Sequence, residues 1–227
     1  MVKIGVITPC FEPNEAWFDR CKASVSSQTN CVHYIVWDGQ VPTKSTGIDK
    51  SIREFSIPGP HCDTGNAARA VGSILAAAEG VDGVAFLDAD NWYQPDHIAR
   101  MLDCSKQSGA WITSCTRNLY TLDGSLMGVC PEVDGERFVD TSCLLILRSA
   151  FALLSTWASI EPANRFVGDR IFWDEVIRSG YTRKHVNFPS VAYRTAYSVH
   201  YDHFGVPRPK GVKRLVHGSD GYSTEYD

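Results

Sequence analysis

Two rhythms of apolar residues alternate along the chain. Short β-branched runs end on a polar or turn residue, and longer stretches repeat their apolar positions at helical spacing. "KIGVIT" (3–8) is a run of the first kind and stops at Pro9, which predicts a buried strand. In "NEAWFDRCKASVSSQ" (14–28), Ala16, Trp17, Cys21 and Val25 share one helical face, and Asn14 stands where a cap is needed. "VHYIVWDG" (32–39) predicts a second strand ending at Asp38-Gly39, residues 40–52 a loop with a short helix, and "REFSIPGP" a third short strand. "DTGNAARAVGSILAAAEG" (63–80) predicts a helix that starts near Asp63 or Thr64 and ends at Gly80. "GVAFLD" (83–88) predicts a strand, "QPDHIARMLDCSKQSG" (94–109) a helix and "AWITSCT" (110–116) another strand.

Strands alternating with helices predict an α/β fold, a mostly parallel central sheet flanked by helices, whose site lies beyond the carboxyl ends of the strands. Thr8-Pro9, Asp38-Gly39 and Asp88-Ala89-Asp90 stand at three such ends, so residues distant in sequence are expected along one edge. The pattern changes after residue 117: extended stretches flank a turn at Asp123-Gly124, and "RFVDTSCLLILRSA" holds an apolar strand. Helices are expected at about 149–158 and 169–179, then an extended "RKHVNFPSVAY". A single domain over 1–205 follows, with a first half at 1–116, a second at 117–205, and a tail at 206–227 rich in Pro, Gly and basic residues.

Composition excludes several classes. The 227 residues are 44% hydrophobic and 21% charged, an ordinary globular balance. A net charge of −4 argues against a nucleic-acid partner. No apolar run approaches the ~20 residues of a transmembrane segment, and Pro9 and Glu12 interrupt any signal-like start, so a soluble, cytoplasmic protein is expected. None of the eight cysteines forms C-x-x-C, which argues against a zinc site and for buried free thiols.

The chemistry concentrates in "FLDADNW" (86–92). Asp88 and Asp90 lie one residue apart at a strand end, and hard oxygen ligands of this kind suit Mg²⁺ or Mn²⁺ held jointly with substrate phosphates. A nucleotide-sugar donor is the natural substrate for such a site. The triplet alone reads first as a solvated turn; its place after "VAFL" and before a helix, with two other polar strand tips nearby, favours the ligand reading.

Together, "VITPCFEPNEAWFDRCKASVSSQ", "HYIVWDG", "DTGNAARAVGSILAA" and "VAFLDADNWYQPDHI" resemble the GT-A glycosyltransferases of the family 2 type. The likeness covers residues 3–100 closely and 101–200 more loosely. It implies a Rossmann-like GT-A domain whose first half binds the nucleotide-sugar and whose second half binds the acceptor. On it, Thr8, Pro9 and Glu12 line the base pocket and Asp38 bonds the base, although Asp38-Gly39 also reads as a plain turn. Asp63, Gly65 and Arg69 stand beside the donor, Arg69 pairing with a phosphate or with Asp88 unless it is a surface charge. Asp88 contacts ribose and sugar, and Asp90, across Ala89, is the principal ligand of Mn²⁺ or Mg²⁺. The resemblance also implies an inverting transfer to a hydroxyl on a glycan or other acceptor, with UDP the expected carrier and polysaccharide biosynthesis the expected setting.

Such a reaction needs a base for the acceptor's proton. Asp169 matches the family's base, with a helix N-cap as its other reading. Two departures stand out: Gly168 occupies a position that often carries an acid, and Trp37 replaces the first of two acids ending the second strand. His200, or alternatively His203, matches a late metal-binding histidine. Asp140 and Trp111, with Trp92 and Trp173, are acceptor-side candidates. Arg208, Lys210, Lys213 and Arg214 make the tail either a lid over the diphosphate or a solvated extension. The alternative function is a non-catalytic sugar-nucleotide-binding protein on the same fold. A dehalogenase-like phosphatase would place its acids after the first strand, and a nucleotidyltransferase would want a Gly-rich, basic loop there.

Overall fold

A computed structural model describes residues 2–39 and 51–226; most of the loop expected at 40–52 lies outside them. The first half is built as the apolar rhythm predicts. Strand β1 (Ile4–Cys10), helix α1 (Glu15–Ser26), β2 (Cys31–Asp38) and β3 (Ile52–Ile57) lead to α2 (Asn66–Ala78) and β4 (Gly83–Phe86). Asn14 caps α1 by accepting the Trp17 N–H at 3.2 Å. β1 does not stop at Pro9. Its pairing with β4 ends at Ile7, so Pro9 falls where that edge of β1 requires no donor, and the strand continues against β2 to Cys10.

A two-residue strand β5 (Trp92–Tyr93), absent from the sequence reading, precedes α3 (His97–Ser108). Then come β6 (Ile112–Tyr120), β7 (Leu126–Val129) and β8 (Leu144–Leu147), followed by 3-10 turns at Arg148–Ser159 and Pro162–Val167. Helix α4 (Gly168–Ser179) leads into β9 (Arg183–Arg194), a short α5 (Ser198–Phe204) that sequence also missed, and the hairpin β10 (Lys213–Gly218) and β11 (Gly221–Tyr226).

Among the described residues the main sheet runs β3-β2-β1-β4-β8-β6-β9-β5, with β7 beside β6. The pairs from β3 to β4 are parallel, as expected. β8 is not: it runs antiparallel to both β4 and β6. The cause is where the chain re-enters. β6 finishes at the edge where β1, β2 and β4 also finish, the β7 hairpin stays there, and β8 can only run back down. Its start, Asp140–Leu144, is therefore held at the same edge as the first-half strand ends.

The core is continuous across the sheet, from Ile4, Ile7 and Ile35 to Leu144, Leu145 and Val176. Beneath the edge, Trp157 stacks on Phe172 at 4.5 Å and meets Phe86 edge-on at 5.5 Å. Apolar burial of that kind stabilises by roughly 1.5–3 kcal/mol per large side chain. All eight cysteines are free, and five of them are buried. No helix among the described residues is long and apolar enough to cross a membrane.

Candidate active site

The strand ends open into a cavity of about 460 Å³. Its first-half wall carries Pro9, Asp38, Asp63, Gly65, Arg69, Asp88, Ala89 and Asp90; its second-half wall carries Asp140 and Asp169. Thus most residues singled out from sequence share one space.

The Asp88–Asp90 turn is fixed from behind. Asn91 is fully buried, accepts the Arg194 N–H at 2.9 Å, and its N–H bonds the Asp88 carbonyl at 3.0 Å. Trp92 then pairs with Ala192 in β9. Arg69 bonds Asp88 at 2.5 Å with its own side chain 7% exposed, so it is a buried partner rather than a surface charge. Its other arm donates to the Thr64 carbonyl at 2.9 Å. Asp90 receives no such arm. Partial burial, then the neighbouring Asp88 charge, pushes its carboxyl up to about 7.

The entry to α2 explains Gly65. Asp63 accepts the N–H groups of Gly65 (3.0 Å) and Ala67 (2.6 Å), satisfying the helix start. Gly65 sits at φ +88°, and a Cβ there would meet Pro9 Cβ at 2.7 Å; only glycine lets the helix start lie this close to the end of β1.

Asp169 occupies the first turn of α4, whose cap residue is Val167, so the capping alternative is not what it does. Its Oδ1 accepts the Arg170 N–H at 2.8 Å. Enclosure by the walls, then the Asp140 charge, pushes Asp169 up to about 6. Asp140 accepts the Ser142 N–H at 2.9 Å and pairs with Arg117 at 2.5 Å, both side chains buried. Arg117 in turn lies 3.9 Å over the Tyr193 ring.

Several expected residues lie elsewhere. Thr8 alternates with Pro9 on β1 and so faces α1; its hydroxyl contacts His33 Nε2 at 2.8 Å and is fully buried. Glu12 is exposed at φ +41°, between the cavity residues Phe11 and Pro13. Asp38 lines the cavity with its carboxylate occupied by the His61 N–H (3.0 Å) and ring (2.6 Å). Trp111 stands at the amino end of β6, the opposite edge of the sheet, against Tyr181. Trp173 is buried and donates to the Glu136 carbonyl at 3.2 Å. Neither His200 nor His203 lines the cavity. His200 is buried with Nε2 toward Glu132, 3.8 Å away, and His203 is exposed on α5.

The tail expected as a lid or a solvated extension holds regular structure. It folds into the β10–β11 hairpin, tied by the Lys213 N–H to the Ala196 carbonyl at 2.7 Å. Lys213 reaches the cavity over the Tyr197 ring, while Arg208 and Arg214 pair outside it with Asp202 and Glu225. Sequence reasoning missed Trp17, Arg165, Phe166, Tyr193 and Tyr197 as lining residues.

No family model matches the chain, and no curated protein matches its sequence. Solved structures of S. aureus TarS do match. TarS 1–349 in complex with UDP gives a TM-score of 0.64 at 12% identity, over 89% of this chain and 63% of that one. The same fragment with UDP-GlcNAc gives 0.60 at 12%, over 92% and 62%; without either ligand in its description it gives 0.61 at 13%, over 85% and 60%. The chain thus spans about six-tenths of the length of those structures. At such identity the likeness is one of architecture: a helix-flanked mixed sheet with the Rossmann-like GT-A glycosyltransferase fold.

Proposed function

We propose that the protein is an inverting, metal-dependent glycosyltransferase of the family 2 type. It moves a sugar from a nucleoside-diphosphate donor to a hydroxyl acceptor in glycan or polysaccharide biosynthesis. One observation carries the reading: a turn with two carboxylates, only one of them neutralised by an arginine, shares a cavity with an acid raised to about 6.

The donor base lies against Pro9, with Glu12 and Asp38 at its rim. Asp63 and Gly65 bring the α2 start close to the donor, and Arg69 holds Asp88 to accept hydroxyls of ribose and sugar. Asp90 fits a Mg²⁺ or Mn²⁺ ligand, because its carboxylate is a hard oxygen donor that lines the cavity without, among the described residues, an arginine partner of the kind Asp88 has. Bound there with the donor, the ion would offset negative charge on the departing diphosphate. Lys213 adds a positive charge on the same side. Asp169 accepts the proton of the attacking hydroxyl, and Asp140 helps line the acceptor side. UDP is the favoured carrier because the matching TarS structures hold UDP and UDP-GlcNAc.

A thermal-shift panel of nucleoside diphosphates with and without Mn²⁺ tests the donor site. A Mn²⁺-dependent rise with one of them, lost in Asp90→Ala, is expected. No metal-dependent shift with any would overturn the reading.

A further inference from the structure

Away from the donor turn, three side chains from three segments converge. Cys130 follows β7 and is pinned to β6 through its N–H to the Arg117 carbonyl at 2.9 Å. Glu132 lies on the next loop, and His200 on α5. The Cys130 sulfur, a Glu132 oxygen and a His200 ring nitrogen lie within 4.8 Å of one another, the one such group of three among the described residues.

His200 supplies a second, independent observation. Its side chain is 6% exposed, yet Nε2 has no hydrogen-bond partner and is directed at Glu132. Its other nitrogen, Nδ1, is 2.6 Å from Thr195 Oγ1, which also accepts the Tyr197 N–H at 3.0 Å. With Nδ1–H donated to Thr195, the Nε2 lone pair points into the cluster. A metal-binding histidine is commonly oriented through its second nitrogen in this way.

We propose that Cys130, Glu132 and His200 bind a Zn²⁺-class cation, distinct from the ion assigned to Asp90. One thiolate, one imidazole and one carboxylate form a borderline-soft set that selects zinc over magnesium. Tetrahedral bonds of about 2.0–2.3 Å require ligand atoms roughly 3.3–3.6 Å apart. The Glu132–His200 separation of 3.8 Å needs only a small closure. Glu132 is 41% exposed, so an ion can enter and water can complete the shell. The spacing Cys130-x-Glu132, with His200 far along the chain, matches no paired-cysteine pattern, so counting cysteines misses it. Bound there, the ion ties the loop after β7 to α5, directly behind Tyr197.

The test uses the full chain, freed of metal by a chelator and titrated with Co²⁺ as a coloured zinc substitute. A stoichiometric near-ultraviolet sulfur-to-cobalt charge-transfer band that Zn²⁺ bleaches is expected. Cys130→Ser should abolish the band, and Glu132→Gln, a change at an exposed position, should weaken binding at least ~10-fold with unfolding unchanged. Asp90→Asn should leave the band intact, which separates this site from the donor's. Absence of the band from the wild-type protein, or its survival in a folded Cys130→Ser, would overturn the proposal. If Cys130→Ser fails to fold, unchanged affinity in Glu132→Gln would do so.

Discussion

Asp169→Asn is the sharpest test of the proposed chemistry. The amide keeps the size of the side chain and an oxygen for the Arg170 N–H, but it cannot take a proton. The wild-type carboxyl stands near 6, mainly through enclosure and then through Asp140. With that value about 97% is ionised at pH 7.5 and only about 9% at pH 5, so kcat should fall about tenfold between them. An aspartate at its ordinary ~3.9 would lose less than ~10% over the same range. In Asp169→Asn, kcat should be ~10²–10⁴-fold lower, the usual worth of a general base, with no acid limb left. Nucleoside-diphosphate release, followed at saturating donor and Mn²⁺, keeps the titration of Asp90 in donor KM and out of kcat. Turnover within ~3-fold of wild type, or an acid limb that survives the substitution, would refute the assignment of Asp169 as base.

Further outcomes follow from the same geometry. Asp140→Asn removes the charge that raises Asp169, so the acid limb of kcat should move to lower pH; an unmoved limb would exclude the coupling. Arg69→Met leaves Asp88 beside Asp90 without its partner and should cost about 2–4 kcal/mol in urea unfolding, tempered by the 28% exposure of Asp88; a loss below ~1 kcal/mol would mean that the pair contributes little. Gly65→Ala combines φ +88° with a Cβ 2.7 Å from Pro9 and should destabilise by at least ~2 kcal/mol while weakening donor binding; wild-type stability would contradict it. His33 is held down to about 3 by burial, so the unfolded chain takes up its proton first. The His33 contribution is therefore complete above about pH 6.5 and is lost by up to ~1.4 kcal/mol per pH unit as pH falls toward 3; His33→Gln should lack that increment, and matching pH slopes would refute it.

What sequence could reveal was whatever depends on local pattern. The buried runs of β1, β2 and β4 and the capped or glycine-terminated helices α1, α2 and α3 are governed by periodicity and end residues a few positions away. The tips of those strands came with them, because parallel connections force them to one edge. What stayed hidden depends on partners far along the chain. β5 is two residues long and exists only because β9 pairs with it. The direction of β8 is set by where the β7 hairpin leaves the chain, not by "LLIL". Thr8 illustrates a finer limit: period-two alternation tells that Thr8 and Pro9 face opposite sides, but which side is the cavity depends on α1 and α2 together. His200 was read from a late position in the chain, while its Nε2 direction depends on Glu132 and Cys130, which no local signal connects to it.

The Gly168 departure shows how the two halves fit. A side chain there would meet Asn66 Oδ1 at 2.7 Å. Asn66, the first residue of α2, is itself 3% exposed and donates to the Arg165 carbonyl at 3.3 Å. The position before Asp169 is therefore where the donor-side helix packs directly against the start of α4, and an acid there would separate the two walls of the cavity. The second carboxylate on that wall arrives from another direction, as Asp140 at the head of the reversed strand β8. It has a capping bond and an arginine to hold it, so it can charge the space around Asp169 without moving into it. On this view the antiparallel insertion supplies the second charge beside Asp169, added to the larger effect of its enclosure: had β8 continued the parallel order, its carboxyl end would stand at the edge, and Asp140 would lie on the far side of the sheet.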